Sequence, residues 1–247
     1  MILTNKKIIS LKEVESTNNY ANQLVMSKAA EHGTVVLAQH QKKGRGQQGN
    51  SWESEPGMNM LASFILFPTK LPVIKQFHIS KAASLALIDF LVTETDSVSI
   101  KWPNDIYIHN KKVAGILIEN SVLGSYLSTS IIGIGLNLNQ EKFISGAPNP
   151  VSLKQITGKN YDIEIIAEKI TENLFKWYKL LETNKYDYID SAYLNHLFRI
   201  NEWAVYSKND DRFEARITGI GDFGQLILED RNGNLTEYMF KEAEFVI

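Results

Sequence analysis

Between residues 98 and 138 the chain offers apolar stretches joined by links too short for anything but hairpins. Val98, Ile100 and Trp102 alternate toward Pro103, and Ile106 and Ile108 continue in strand register to a turn at Asn110-Lys111. Residues 113–119 and 128–138 form two further strands joined near Gly124. Parallel neighbours need a crossover of about a dozen residues or more, so these strands pair antiparallel. With strands at 7–14, 34–40 and 59–67, they predict one mixed, largely antiparallel sheet. Ser16-Thr17-Asn18 supplies N-cap chemistry ahead of Tyr20, Ala21, Leu24 and Val25 at helical spacing. Ile79, Ala82, Ala83, Ala86, Leu87, Phe90 and Leu91 mark a second helix, and residues 163–181 a long third. Helices flanking hairpin-connected strands mean an α+β fold rather than a doubly wound α/β fold. After about Arg199, short strands alternate with turns at Asp210-Asp211, Gly221-Asp222 and Asn232-Gly233. The expected division is therefore a main domain over 1–199 and a small all-β domain over 200–247.

Composition excludes several function classes. Lys and Arg number 26 against 28 Asp and Glu, so no basic field exists to hold nucleic acid. The absence of cysteine removes disulfides, thiolate catalysis and cysteine-based metal sites. No apolar run approaches the roughly 18 residues of a spanning helix, and the N-terminus lacks the features of a signal peptide. The expectation is a cytoplasmic enzyme without a membrane segment.

Four clusters carry chemistry. Gly44-Arg45-Gly46-Gln47-Gln48-Gly49 matches a dinucleotide fingerprint literally, but poor helix sequence follows it and no acidic residue occurs between Pro56 and Ile88. Closely spaced glycines still let backbone N–H groups approach a phosphate or carboxylate, with Arg45 as a fixed cation; the alternative is a mobile surface loop. In Lys101-Trp102-Pro103-Asn104-Asp105, proline holds Trp102 extended and ends the strand. Lys101 is then either partly enclosed or a surface lysine beside a packing tryptophan. Gly115, within the strand that follows Lys112, marks a close approach, of a ligand or of an aromatic ring. Gly133-Ile134-Gly135-Leu136-Asn137 removes every side chain from one strand face, leaving room for something flat or for a crossing helix.

Taken together and in this order, these stretches resemble the biotin–protein ligase family. The matching segments are Glu15-Ser16-Thr17-Asn18, residues 41–52, Lys101-Trp102-Pro103-Asn104-Asp105, residues 112–119 and residues 133–137, and the likeness is strong over about residues 7–140. It implies a catalytic core similar to class II aminoacyl-tRNA synthetases, followed by a small C-terminal β-barrel. The implied reaction joins biotin to ATP as biotinyl-5′-AMP, then passes biotin to a lysine of a biotin carboxyl carrier domain. The implied catalytic residues are Lys101 and Arg45. Ser16, Thr17, Asn18, Gln41, Gly44, Arg45, Lys101, Gly115 and Leu117 are implied to bind biotin. Arg45, Gly46, Gln47, Trp52, Asn104, Lys112 and Asn137 are implied to bind ATP or the adenylate. Mg²⁺ is expected with ATP, without a dedicated metal cage. Some relatives carry an N-terminal DNA-binding domain. This sequence starts at the core, so a monofunctional ligase is expected, monomeric or homodimeric and without a nucleic-acid partner.

The chain departs from the family pattern at Gln47, where many relatives have arginine. The rival readings are a lipoate ligase or octanoyl transferase, a biotin sensor that transfers nothing, and a nucleic-acid-binding protein. Lys101 opposes the sensor, and the balanced charge opposes the last.

Overall fold

The computed structural model describes residues 7–145 and 149–246. Its main sheet has seven strands: β1 (Ile8–Leu11), β2 (Val35–Ala38), β3 (Met60–Leu66), β4 (Val98–Lys101), β5 (Asp105–Ile108), β6 (Lys111–Leu123) and β7 (Tyr126–Leu136). Their order is β1-β2-β3-β7-β6-β5-β4, and only β1 and β2 run parallel. Side chains alternate across a strand, and the core divides accordingly. Val35, Leu37, Phe64 and Leu66 pack with helices α2 (Phe77–Leu91) and α4 (Ile163–Glu182). Val36, Ile65 and Ile131 face the other way, against Ala21 of α1 (Thr17–Met26). Every residue of β3 is buried because helices cover both faces.

Helix α2 is buried almost all round, whereas α4 shows one apolar stripe through Ile166, Ile170, Leu174 and Leu181. Asp162 caps α4, accepting the N–H groups of Glu164 and Ile165 at 2.9 and 3.1 Å. Two helices went unpredicted. α3 (Leu153–Thr157) has only five residues and is held by a Ser152–Gln155 capping box. α5 (Tyr186–Asn195) buries only Ile189 and Tyr193, too few for a periodic signal.

Two turns fall one residue earlier than expected. Ile108 pairs with Lys111, and Lys208 with Asp211, so the two-residue loops are His109-Asn110 and Asn209-Asp210. Asn209 and Asp210 both adopt positive φ, which tight hairpins need and these side chains tolerate. The C-terminal sheet comprises β8 (Trp203–Lys208), β9 (Asp211–Ile220), β10 (Leu226–Glu229), β11 (Leu235–Tyr238) and β12 (Glu244–Phe245), in antiparallel order β11-β10-β9-β8-β12. Tyr206, Ile217 and Leu226 join the same hydrophobic cluster as Ile100 and Trp102, so this sheet packs directly on the main one.

Candidate active site

A cavity of about 410 Å³ opens on the α1 face of the main sheet. Of the residues expected at the site, Ser16, Thr17, Asn18, Gln41, Arg45, Gly46, Gln47, Trp52, Lys101, Asn104, Lys112, Gly115 and Leu117 line it.

One end is a polar network. Gln41 Oε1 accepts the Thr17 backbone N–H at 2.7 Å and its hydroxyl at 3.0 Å. Asn18 Nδ2 donates to Glu119 Oε2 at 2.8 Å. Ser63, which sequence reasoning missed, lies 2.8 Å from the Thr17 hydroxyl and 2.6 Å from Asn18 Oδ1. Ser16 stands at the N-cap of α1, but its side chain makes no capping bond, against the N-cap chemistry expected of it.

The floor is bare backbone. A Cβ on Gly135 would come within 2.4 Å of the Trp52 indole, one on Gly115 within 2.8 Å, and one on Gly133 within 2.4 Å of Asn18 Oδ1. The flat object on the glycines is thus Trp52 itself, and its Nε1 is buried without a partner among the described residues. The Gly44 to Trp52 loop folds back on itself. Trp52 N–H donates to the Gly44 carbonyl at 3.0 Å, and Gly46 N–H to that of Asn50 at 2.7 Å. Gly44 makes this turn possible, since a Cβ there would meet the Trp52 carbonyl at 2.4 Å; it does not line the cavity.

Charge on the wall is mainly positive: Arg45, Lys101, Lys112 and Lys241 against Asp105 and Glu244. Arg45 pairs with Glu119 at 2.8 Å and Lys112 with Asp105 at 2.6 Å. Lys101 forms no ion pair among the described residues, and burial lowers its pKa from the ordinary lysine value. Lys101 sits opposite Asp105 across the β4–β5 hairpin, so strand pairing fixes where it emerges. Within the same motif, Trp102 is a packing residue, its Nε1 donating to the Gly224 carbonyl at 2.7 Å. Asn104 Nδ2 donates to the Ile116 carbonyl at 2.8 Å, stitching the motif to β6.

Asn137, like Gly44, is an expected residue that fails to reach the wall. It is buried, and its amide donates to the Val151 carbonyl at 3.1 Å, tying β7 to the segment before α3.

The family model for the biotin/lipoate A/B protein ligase family matches residues 10–137. The chain belongs to this family. Within it, a biotin–acetyl-CoA-carboxylase ligase of Paracoccus denitrificans is 31% identical over 230 residues, covering 90% of this chain and 94% of that protein. The bifunctional ligase/repressor BirA of Bacillus spizizenii is 30% identical over 226 residues, covering 89% of this chain and 68% of the relative. Among solved structures, the biotin protein ligase of Aquifex aeolicus in complex with biotin and ATP aligns with a TM-score of 0.81 at 25% identity, covering 98% of this chain and 99% of that one.

The matched family segment holds every residue expected at the site. It excludes another part of the wall, formed by Phe240, Lys241 and Ala243 of the link before β12 and by Glu244 and Phe245 of β12 itself. No motif in the sequence pointed to these residues. Their approach depends on tertiary docking, through Trp102 on Gly224 and Lys75 on Asp222.

Proposed function

We propose that this chain activates biotin with ATP, forming biotinyl-5′-AMP and pyrophosphate, and transfers the biotinyl group to a lysine of a biotin carboxyl carrier domain. The observation that carries this reading is a Lys101 ammonium, without an ion-pair partner among the described residues, on the wall of a glycine-floored cavity rich in cations. In the first step a biotin carboxylate oxygen bonds to the α-phosphorus as the bond to pyrophosphate breaks. An anion meets a polyanion there, and preorganised cations offset the repulsion. One lysine about 4 Å from an anionic oxygen contributes roughly 4 kcal/mol at an effective dielectric near 20. Lys101 is assigned to the charge between carboxylate and α-phosphate. Arg45 and Lys112 serve the phosphates once released from Glu119 and Asp105, with Gly46 backbone beside them. Ser16, Thr17, Asn18 and Gln41 take the ureido ring, with backbone of Gly115 and Leu117. Trp52, Gln47 and Asn104 face the nucleotide. In the second step a neutral carrier amine attacks the acyl carbon, the C–O bond to AMP breaks, and the amine proton leaves to solvent.

Mg²⁺ would arrive with ATP. No group of three or more metal-ligating side chains exists among the described residues, while Asp105 and Glu244 lie on the wall. Such an ion would be held mainly by phosphate oxygens and water. When bound, it would offset triphosphate charge. No helix among the described residues is long and apolar enough to cross a membrane, and we place the enzyme in the cytoplasm. Residues 1–199 form the catalytic unit and 200–247 the small β unit of this reading.

The test is incubation with ATP, Mg²⁺ and a carrier domain, offering biotin and lipoate separately, followed by intact mass of the carrier. One added biotinyl group is expected. Modification by lipoate alone, or by neither, overturns the assignment.

A further inference from the structure

The Lys101 ammonium has no carboxylate partner among the described residues, yet it is not loose. It lies 5.0 Å from the ring centre of Phe245 and 5.4 Å from that of Tyr107. Tyr107 comes from the neighbouring strand β5, whereas Phe245 arrives on β12, at the far end of the sequence. Both rings belong to one aromatic cluster: Phe198 is 5.6 Å from Tyr107 and 6.2 Å from Phe245, and Tyr206 meets Phe245 edge-on at 5.3 Å. The strand end is fixed as well. Arg199 Nη1 donates to the Val246 carbonyl at 3.0 Å, and Val246 N–H to that of Val205 at 3.2 Å.

We infer that Phe245 is a positioning residue: with Tyr107 it cradles the Lys101 ammonium, so the C-terminal sheet sets where the reacting cation stands. The inference rests on the role proposed for Lys101. Ring faces attract a cation without taking up its N–H donors as a carboxylate would, which leaves the ammonium free to meet an anion. Charged groups around it pull both ways. Asp105 on β5 and Glu244 on β12 favour the charged form, and Lys112 on β6 and Arg199 oppose it. The rings add to the charged side against burial.

The test compares Phe245→Leu and Phe245→Met, which remove the ring but fill its space, with Phe245→Tyr, which keeps it. Biotin-dependent ATP–pyrophosphate exchange is measured against pH, and Lys101 is titrated by competitive acetylation read by mass spectrometry. In ring-less variants with wild-type circular dichroism, kcat falls about five- to thirtyfold while the KM for biotin stays within about twofold. The alkaline limb and the Lys101 titration both move to lower pH. The tyrosine variant keeps the wild-type values. A folded ring-less variant that matches wild type overturns the inference, and so does an equal loss in Phe245→Tyr. Acetylation needs no turnover, so it decides this point even if the wild-type protein proves inactive with biotin.

Discussion

Arg45 Nη2 donates to Glu119 Oε1 at 2.8 Å, while its Nη1 donates to Asn19 Oδ1 at 2.6 Å. The arginine assigned to phosphate therefore starts on a carboxylate, and an incoming phosphate has to displace Glu119. The two side chains are 42% and 37% exposed, so the pair is worth only about 0–1 kcal/mol.

Glu119→Gln should consequently tighten ATP binding by about two- to fivefold, measured by calorimetry with a non-hydrolysable analogue. Glu119 also holds Asn18, so the variant is read for biotin affinity in parallel. Weaker nucleotide binding with unchanged biotin binding would show that Glu119 orients Arg45 rather than competing for it.

Lys101→Ala should slow adenylate formation by about a hundredfold or more, since each 1.36 kcal/mol removed from the barrier is roughly tenfold in rate. Burial lowers the Lys101 pKa, so the wild-type rate should decline on the alkaline side at a lower pH than an ordinary lysine would dictate. Pyrophosphate release at near-normal rate in the alanine variant removes Lys101 from the chemistry.

Much of the site was legible because its motifs report backbone, and backbone position follows from strand pairing. Lys101 and Asp105 face each other across a hairpin whose turn the proline announces. Gly115, Gly133 and Gly135 were legible as missing side chains, but what fills the space was not, because Trp52 and Asn18 come from other segments. An asparagine suits an adenine and a neighbouring carbonyl equally well, and nothing in the sequence announced that the Asn137 amide donates to the Val151 carbonyl. Phe245 left no local trace at all. Its place near Lys101 depends on how the two sheets dock, which no periodicity encodes. Helix α5 escaped for a related reason, since it is anchored by an ion contact rather than by an apolar stripe.

That contact joins Asp190 to Lys81 at 2.6 Å, with His78 Nε2 at 3.0 Å. Burial raises the Asp190 carboxyl, but the contacts from His78 and Lys81 outweigh it and hold its pKa down at about 2. A carboxyl lowered in the folded state contributes stability that is complete above its ordinary value of 3.8 and is lost as pH falls through about 2. Asp190→Asn leaves Lys81 buried and unpaired, and should cost about 2 kcal/mol at pH 7, discounted for the partial exposure of Asp190. Urea unfolding of both proteins from about pH 5 to 2.5 checks the sign: the gap should narrow as pH falls. A constant gap would assign the loss to packing instead.

Gln47 stands where many relatives carry arginine. It lines the cavity at the start of the short turn Gln47–Gly49, and its Oε1 is buried without a hydrogen-bond partner among the described residues. A buried acceptor left without a donor costs about 1–3 kcal/mol, so a ligand that supplies one is favoured. The adenylate is a mixed anhydride and acylates any amine it meets after escape, which makes retention a requirement of the reaction. Charge-assisted hydrogen bonds are roughly twice as strong as neutral ones. Glutamine in place of arginine therefore weakens retention by about 1 kcal/mol, on the order of fivefold in occupancy. Gln47→Arg should slow release of biotinyl-adenylate by that factor and leave its rate of formation nearly unchanged. The check is the dissociation rate of preformed adenylate from both proteins without carrier, with biotinylation of bystander lysines followed alongside. Equal rates would mean that Arg45 and Lys112, once freed from their carboxylates, hold the phosphate without help from position 47.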